Sequence, residues 1–238
     1  MHVGRLINKS TEDYTMLDQF GNRKTLESTN NESDLGIIVS HVLIVKYQVE
    51  AASARANCVL GSLKKAFRSR GLSLWKVLYT IYVRPHLEFA IQAWSPHLQR
   101  DIIMLECIQQ RATKTVTEIK HKSYEERLQI LGLTTLEERR NRGDLIQQFK
   151  IVQGIEKIEF AVPQVYAPSI LNYCLRGHNR RLIKQVVKNC EERKHFFTNQ
   201  VVNAWNSLPA KAAYAVSLNS FKDHIDGKVT NNRHSVCL

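Results

Sequence analysis

The chain is poor in residues that break or cross-link a backbone, with 10 Gly, 5 Pro and 5 Cys among 238 residues. So few glycines and prolines exclude a collagen-like or low-complexity chain. Cys58, Cys107, Cys174, Cys190 and Cys237 are odd in number and form no CxxC pair. Free thiols in a reducing compartment are therefore expected, not a disulfide framework. Long apolar runs are also missing. The longest, Gly36 to Val45, already contains Ser40 and His41, whereas a membrane span needs roughly 20 apolar residues. Met1-His2-Val3-Gly4-Arg5 opens no signal-peptide core. The expectation is an intracellular protein, neither secreted nor held in a membrane.

Catalytic signatures are scarce as well. Two-metal polymerases and nucleases need clustered carboxylates, yet no Asp-Asp pair occurs and the seven Asp residues are scattered. The P-loop, GxGxxG, HExxH and GxSxG patterns are absent. The glutamate pairs Glu125-Glu126 and Glu137-Glu138 follow Ser123 and Thr135 at capping-box spacing. They read as helix starts, not as a catalytic dyad.

What the chain does have is positive charge: 34 Lys and Arg against 22 Asp and Glu, or +12. Residues 1–40 hold 4 basic and 6 acidic side chains, 41–150 hold 18 and 10, and 151–238 hold 12 and 6. The excess thus lies beyond residue 40, the distribution of a chain that meets nucleic acid or another polyanion.

Hydrophobic residues make up 43%, enough for a core in one or two domains. The first 40 residues read as short strands and turns, with a turn at Asp18–Asn22, a polar loop at Thr29–Ser33 and a strand over Asp34–Val39. From about Gln48 the period becomes helical. Val49, Ala52, Ala56, Leu60, Leu63 and Phe67 form one stripe, followed by Lys64, Lys65, Arg68 and Arg70 at its end. Those four either compensate the helix dipole or form a phosphate-contacting edge.

Ser73–Trp94 is a second apolar helical region that Pro85 should kink or divide. Its faces are Trp75, Leu78, Tyr79, Tyr82 and Val83, then Leu87, Phe89, Ala90 and Trp94. Ile102–Val116 predicts a helix with Leu105, Ile108 and Ala112 on one face and Arg111 and Lys114 on another. The Thr135 box opens a longer helix carrying Arg139, Arg140, Arg142 and Phe149, with Gly154 as its stop. Residues 155–175, with Pro163 and Pro168, read as a linker, and Arg176–Arg181 as a basic, hairpin-like segment. A helix with Phe197, Val201 and Trp205 ends before Pro209, and a last short one is capped by Ser217. Asn231–Leu238 reads as a disordered tail. One metal arrangement is conceivable: Cys174, His178, Cys190 and His195 supply two Cys and two His, though not at the spacing of the common zinc fingers.

Several segments together resemble a known family. Tyr82-Val-Arg-Pro-His-Leu-Glu-Phe-Ala-Ile-Gln-Ala-Trp-Ser-Pro96 is similar to the C-terminal part of reverse transcriptases of non-LTR (LINE-type, jockey- and CR1-like) retrotransposons. So, in the same order along the chain, are Asp34–Val39, Glu106–Lys114, Ser123–Leu128, Leu131–Arg140, Arg142–Ile146, Arg176–His178, Lys194–Phe197 and Val201–Pro209. The apolar Ser40–Lys46 stretch departs from the family's polar turn, and Thr117–His121 lacks the glycine usual there.

The resemblance implies a mainly α fold, in which a helical thumb-like bundle follows a small β-strand remnant of a polymerase palm. It implies palm-end strands at 1–40, a thumb-like domain at 41–154, a linker at 155–175 and a basic helical region at 176–230. The tail would be 231–238. It also implies a truncated polymerase: the catalytic Tyr/Phe-x-Asp-Asp turn would lie upstream of Met1, and with it the Mg2+ of the parent RNA-directed DNA polymerase. This chain alone would then hold no cofactor and catalyse nothing.

A thumb grips the phosphate backbone of an RNA or DNA template–primer duplex without reading sequence. The candidate contacts are Lys64, Lys65, Arg68, Arg70, Arg111, Lys114, Lys120, Arg139, Arg140, Arg142, Arg176, Arg180 and Arg181, with Lys122 and Lys184 beside them. A nuclear or cytoplasmic location follows from the charge and the resemblance. The alternatives are a non-functional relic and a domesticated protein–protein adaptor.

Overall fold

The computed structural model describes residues 14–167 and 178–234, with 227–234 by backbone alone. It is mainly helical, with two separate two-stranded antiparallel sheets. Among the described residues no helix is long and apolar enough to cross a membrane.

The first compact unit comprises the described residues up to Ala90 together with Pro96–His121. Strands β1 (Thr15–Leu17) and β2 (Arg23–Thr25) pair in the register Thr15↔Thr25. The expected turn between them is present, and Asp18 closes it. Its carboxylate accepts from the backbone N–H groups of Phe20 and Asn22 at 2.8 and 2.9 Å.

The apolar run at residue 34 is not one strand. β3 (Asn31–Asp34) ends at Asp34 and β4 (Ile37–Ser40) begins at Ile37, paired Asp34↔Ile37. The Thr29–Ser33 loop expected from its polarity is therefore partly strand. Leu35 and Gly36 form the two-residue turn, with φ of 46° and 82°. Positive φ at both central residues is the type I′ geometry, whose twist matches that of the paired strands.

β4 packs on α1 (Lys46–Ala66), where Gln48 accepts from the Ile38 N–H at 2.9 Å. The α1 stripe forms as its spacing predicts, with Val49, Ala52, Ala56 and Leu60 buried. α1 packs on α5 (Gln99–Thr113), whose Leu105, Ile108 and Ala112 are buried in turn. The 73–94 region is divided in the neighbourhood of Pro85. α2 (Leu72–Leu78) runs into a π-helical turn, Tyr79–Val83, and then α3 (Arg84–Glu88) with Pro85 in its first turn. Proline lacks an N–H and crowds the carbonyl four residues back, so the ladder loosens before it.

Trp75, Leu78, Tyr79, Val83 and Leu87 are buried as expected. Tyr82 and Phe89 are not, at 53% and 56% exposed. The π turn rotates Tyr82 off the apolar face, and Phe89 follows α3 and lies over the hairpin turn at Gly36.

The second unit comprises Ile91–Ser95 and the described residues from Lys122 onward. Contacts thus divide the 41–154 span at His121, because residues 122–154 pack with the C-terminal helices. α4 is Ile91–Trp94. Both capping boxes form. Ser123 opens α6 (Tyr124–Leu131) with Glu126, and Thr135 opens α7 (Leu136–Val152) with Glu138. Gly154 stops α7 at φ 69°, with the Ile155 N–H donating to the Lys150 carbonyl, the Schellman closure.

α8 (Glu191–Lys194), α9 (Phe197–Asn206), α10 (Ala210–Ala213) and α11 (Leu218–His234) follow. α11 carries through Asn231–His234, where a disordered tail is expected, while 235–238 lie outside the described residues. Phe149, Trp205 and Phe221 centre the core, with Phe149 and Phe221 stacked at 4.3 Å. The expected linker is also tied in: Tyr166 bridges antiparallel to Leu182. Its residues 168–175 lie outside the described residues.

Asp144 on α7 is buried and accepts from Gln200 at 3.0 Å. Burial pushes its carboxyl up to about 6, against the pull of Gln200 and Arg140. A raised carboxyl binds its proton more tightly folded than unfolded. Its contribution to stability is therefore whole below about pH 4 and is lost as pH rises through about 6, by an amount on the order of 3 kcal/mol. Urea unfolding should accordingly find Asp144→Asn more stable than the native chain at pH 7.5 and level with it at pH 4. Equal gaps at both pH values would count against this.

The hairpin gives a second expectation. Leu35 is 87% exposed, so Leu35→Asn removes no packing and supplies a side chain at ease with positive φ. Stability should rise by about 0.5–1 kcal/mol in the same assay.

Candidate nucleic-acid interface

Five of the cations expected to meet nucleic acid converge. Lys64, Arg70, Arg111, Lys114 and Lys120, with Thr115 and Thr117, line one open cleft of about 520 Å³ in the first unit. Three segments deliver them. Lys64 stands in the last turn of α1, and Arg70 in the connection that leads to α2. Arg111 stands in the last turn of α5 with Lys114 as its C-cap. The chain beyond α5 is pinned by buried Val116 and Ile119, which leaves Lys114, Thr117 and Lys120 on its open side.

Two buried hydrogen bonds set where α5 ends. The Trp75 indole N–H donates to the Ala112 carbonyl at 2.7 Å, and the Tyr79 hydroxyl donates to Gln109 at 2.6 Å. Within the cleft, Arg70 donates to the Lys64 carbonyl at 3.4 Å and Arg111 to Asn57 at 3.1 Å. The Thr115 hydroxyl donates to the Arg111 carbonyl. Arg70 Nε is buried with no hydrogen-bond partner in the protein.

The five cations are far in excess of what the helices need. Each helix C-terminus carries roughly −0.5 charge, so α1 and α5 together offset about one cation. Glu118, the nearby acid, offsets one more; its carboxylate reaches within 3.9 Å of where a Gly71 side chain would begin. About three charges remain unmatched. The consequence shows on Lys64, held below the ordinary lysine range first by burial and then by Arg70 and Arg111.

The other candidates lie elsewhere. Lys65 and Arg68 are exposed at the end of α1 without lining the cleft. Arg140 is buried beside Asp144, not on the surface. Arg142 forms a two-pronged pair with Asp226 at 2.6 and 2.8 Å, joining α7 to α11. Arg180 donates to the Ala213 carbonyl and lies 5.2 Å over the Tyr214 ring. Arg139 and Arg181 are half-buried. Arg140, Arg142 and Arg180 thus make their contacts within the second unit. Arg176 lies outside the described residues.

The candidate zinc ligands also disperse. His178 is 3% exposed in the second unit's core, bonded through Nε2 to the Trp205 carbonyl and edge-on to the Trp205 ring. Cys190 is exposed, and His195 faces Glu191 at 3.3 Å. Cys174 lies outside the described residues. Among the described residues no three His, Cys, Asp or Glu side chains gather to hold a metal.

Thr115 and Thr117 carry no charge and so escape a search for Lys and Arg; only their places beside Lys114 and Lys120 tie them to the site. Because burial and then the neighbouring Arg70 and Arg111 oppose the charge on Lys64, Lys64→Gln should raise the thermal midpoint by about 2 °C at low salt. The gain should shrink at high salt as screening shortens the repulsion. A drop at low salt would mean that attraction, not repulsion, governs Lys64.

No family profile matches the chain, and no solved structure matches it. It is similar to an uncharacterized protein of Caenorhabditis elegans, 26% identical over 141 residues, which is 58% of this chain and 69% of that protein.

Proposed function

We propose that the chain binds nucleic acid by its phosphate backbone, without reading sequence, and that the cleft at the ends of α1 and α5 is the contact surface. We further propose that it is related to the thumb and C-terminal part of a LINE-type reverse transcriptase and acts by holding a template–primer duplex, not by catalysis. The observation that supports this reading is the surplus of charge in the cleft: five cations in one concavity with no carboxylate in its lining.

Lysine and arginine so placed bind phosphates in exchange for released counterions. Threonine hydroxyls and guanidinium forks add directed hydrogen bonds to phosphate oxygens. Each phosphate neutralised steepens the salt dependence by about one unit of slope, so full use of the cleft gives a slope near about −4.5.

Fluorescence anisotropy with an RNA·DNA hybrid duplex should show affinity falling by about 500-fold between ~50 and ~200 mM salt. Lys120→Gln and Lys114→Gln should each lessen the slope by about one. Sequence changes in the duplex should leave affinity within about twofold. A flat salt response would overturn the reading. Loss of cooperative melting in the native chain would favour an unfolded relic.

A further inference from the structure

We propose that the cleft seats a terminal phosphate, the 5′-phosphate end of a nucleic-acid strand, and not only the running backbone beside it. This rests on the backbone-binding reading and narrows it to a class of ligand.

The shape of the cleft is the first reason. A surface that tracks a backbone spreads its cations along a stripe, one per phosphodiester. Here Lys64, Arg70, Arg111, Lys114 and Lys120 surround a single space of about 520 Å³, the size of a small-ligand pocket. The demand for charge is the second. After two helix ends and Glu118, about three positive charges stay unmatched. A phosphodiester brings one negative charge, whereas a phosphomonoester carries about −1.5 to −2 at pH 7 and three strong acceptor oxygens. The monoester fits the surplus better.

Donor geometry points the same way. Arg70 spends one terminal nitrogen on the Lys64 carbonyl and keeps a buried Nε with no protein partner. Asn57 orients Arg111 through Nη1. Arg70 and Arg111, each tied by one hydrogen bond, share the lining with lysines and threonines, a donor set suited to an oxygen-rich, multiply charged end. Lys64, held below the ordinary lysine range by burial and then by Arg70 and Arg111, lines the same space. In the second unit, by comparison, Arg142 is engaged by Asp226, and Arg180 by a backbone carbonyl and an aromatic ring.

The test compares two oligonucleotides of one sequence, one ending in a 5′-phosphate and one in a 5′-hydroxyl, by anisotropy with the full chain. The native protein should prefer the phosphorylated end by roughly tenfold, about one charge-assisted contact's difference. In Arg70→Gln both affinities fall and the ratio collapses toward one; the ratio, not either affinity, is the readout. Lys120→Gln, on the exposed rim, repeats the test if Arg70→Gln melts early.

Inorganic pyrophosphate separates the sources of the ligand. For a strand end, it should weaken binding of the phosphorylated oligonucleotide more than of the hydroxyl-ended one, and so erode the tenfold preference. Equal affinity for the two ends, with the salt slope intact, overturns the terminal site and leaves the backbone reading standing. Failure of both oligonucleotides to bind overturns both. If pyrophosphate then still raises the melting midpoint of the native chain but not of Arg70→Gln, the strand end is overturned in favour of a free diphosphate compound.

Discussion

The first unit depends on one buried hydrogen bond, from the Trp75 indole to the carbonyl of Ala112. That carbonyl is one of the last four of α5, which have no partner within the helix. It accepts from the Thr115 N–H at 3.1 Å as well, and the indole takes its second lone pair. The ring is itself buried in the core, so without this carbonyl the indole N–H would be left unpaired at a cost of about 1–3 kcal/mol. The bond therefore does two things at once: it closes the end of a helix, and it fixes that end against α2. Arg111 lies one residue before Ala112 and Lys114 two after. Their approach to Lys64 and Arg70 follows from where the tryptophan holds the chain.

The same logic of orphaned groups governs the second unit with different parts. The segment from His178 to Gln185 makes little regular structure beyond its bridge to Tyr166, so much of its backbone is satisfied by side chains. Asn206 accepts from the Leu182 N–H and donates to the Leu182 carbonyl, and Asn199 accepts from the Gln185 N–H. Trp205 donates to the Arg180 carbonyl while its own carbonyl engages His178. An asparagine two residues before a buried Val201, and another beside a buried Trp205, act as substitutes for a neighbouring strand. This explains why a basic stretch packs on α9 without becoming an element itself.

How much of this was legible in the sequence depended on range. Capping boxes at Ser123 and Thr135, the Gly154 stop, the Asp18 turn and the α1 stripe are local patterns and formed as read. The Asp34–Val39 run failed because hydrophobicity hid a turn. Leu35 is a poor type I′ residue, and only the glycine after it marked the reversal. Tyr82 failed because a 3.6-residue period does not survive a π turn. Among the cations, charge alone could not sort ligand from scaffold. Arg142 and Lys120 look alike in sequence, and the partner of Arg142 is Asp226, 84 residues away.

That sorting has a physical criterion. An arginine in a core must bring its counter-charge or its acceptors with it, because desolvating it alone costs several kcal/mol. Arg142 has both oxygens of a carboxylate, and Arg180 has a carbonyl and a ring face. The cleft cations break that rule. They line one concavity, Lys64 and Arg70 half-buried and the other three exposed, with Arg70 Nε lacking a protein partner and Lys64 held below its ordinary range by burial and then by Arg70 and Arg111. A fold gains nothing in stability from that crowding, since spreading the same charges over open surface would relieve it. Repulsion of this kind is relieved when an anion enters, and it favours an anion in proportion to its charge. In the second unit Arg142 is matched by a carboxylate, while burial first and then Arg181 and Arg180 hold the His178 imidazole below its ordinary range. For that reason the proposed binding rests on the cleft and not on the overall charge of +12.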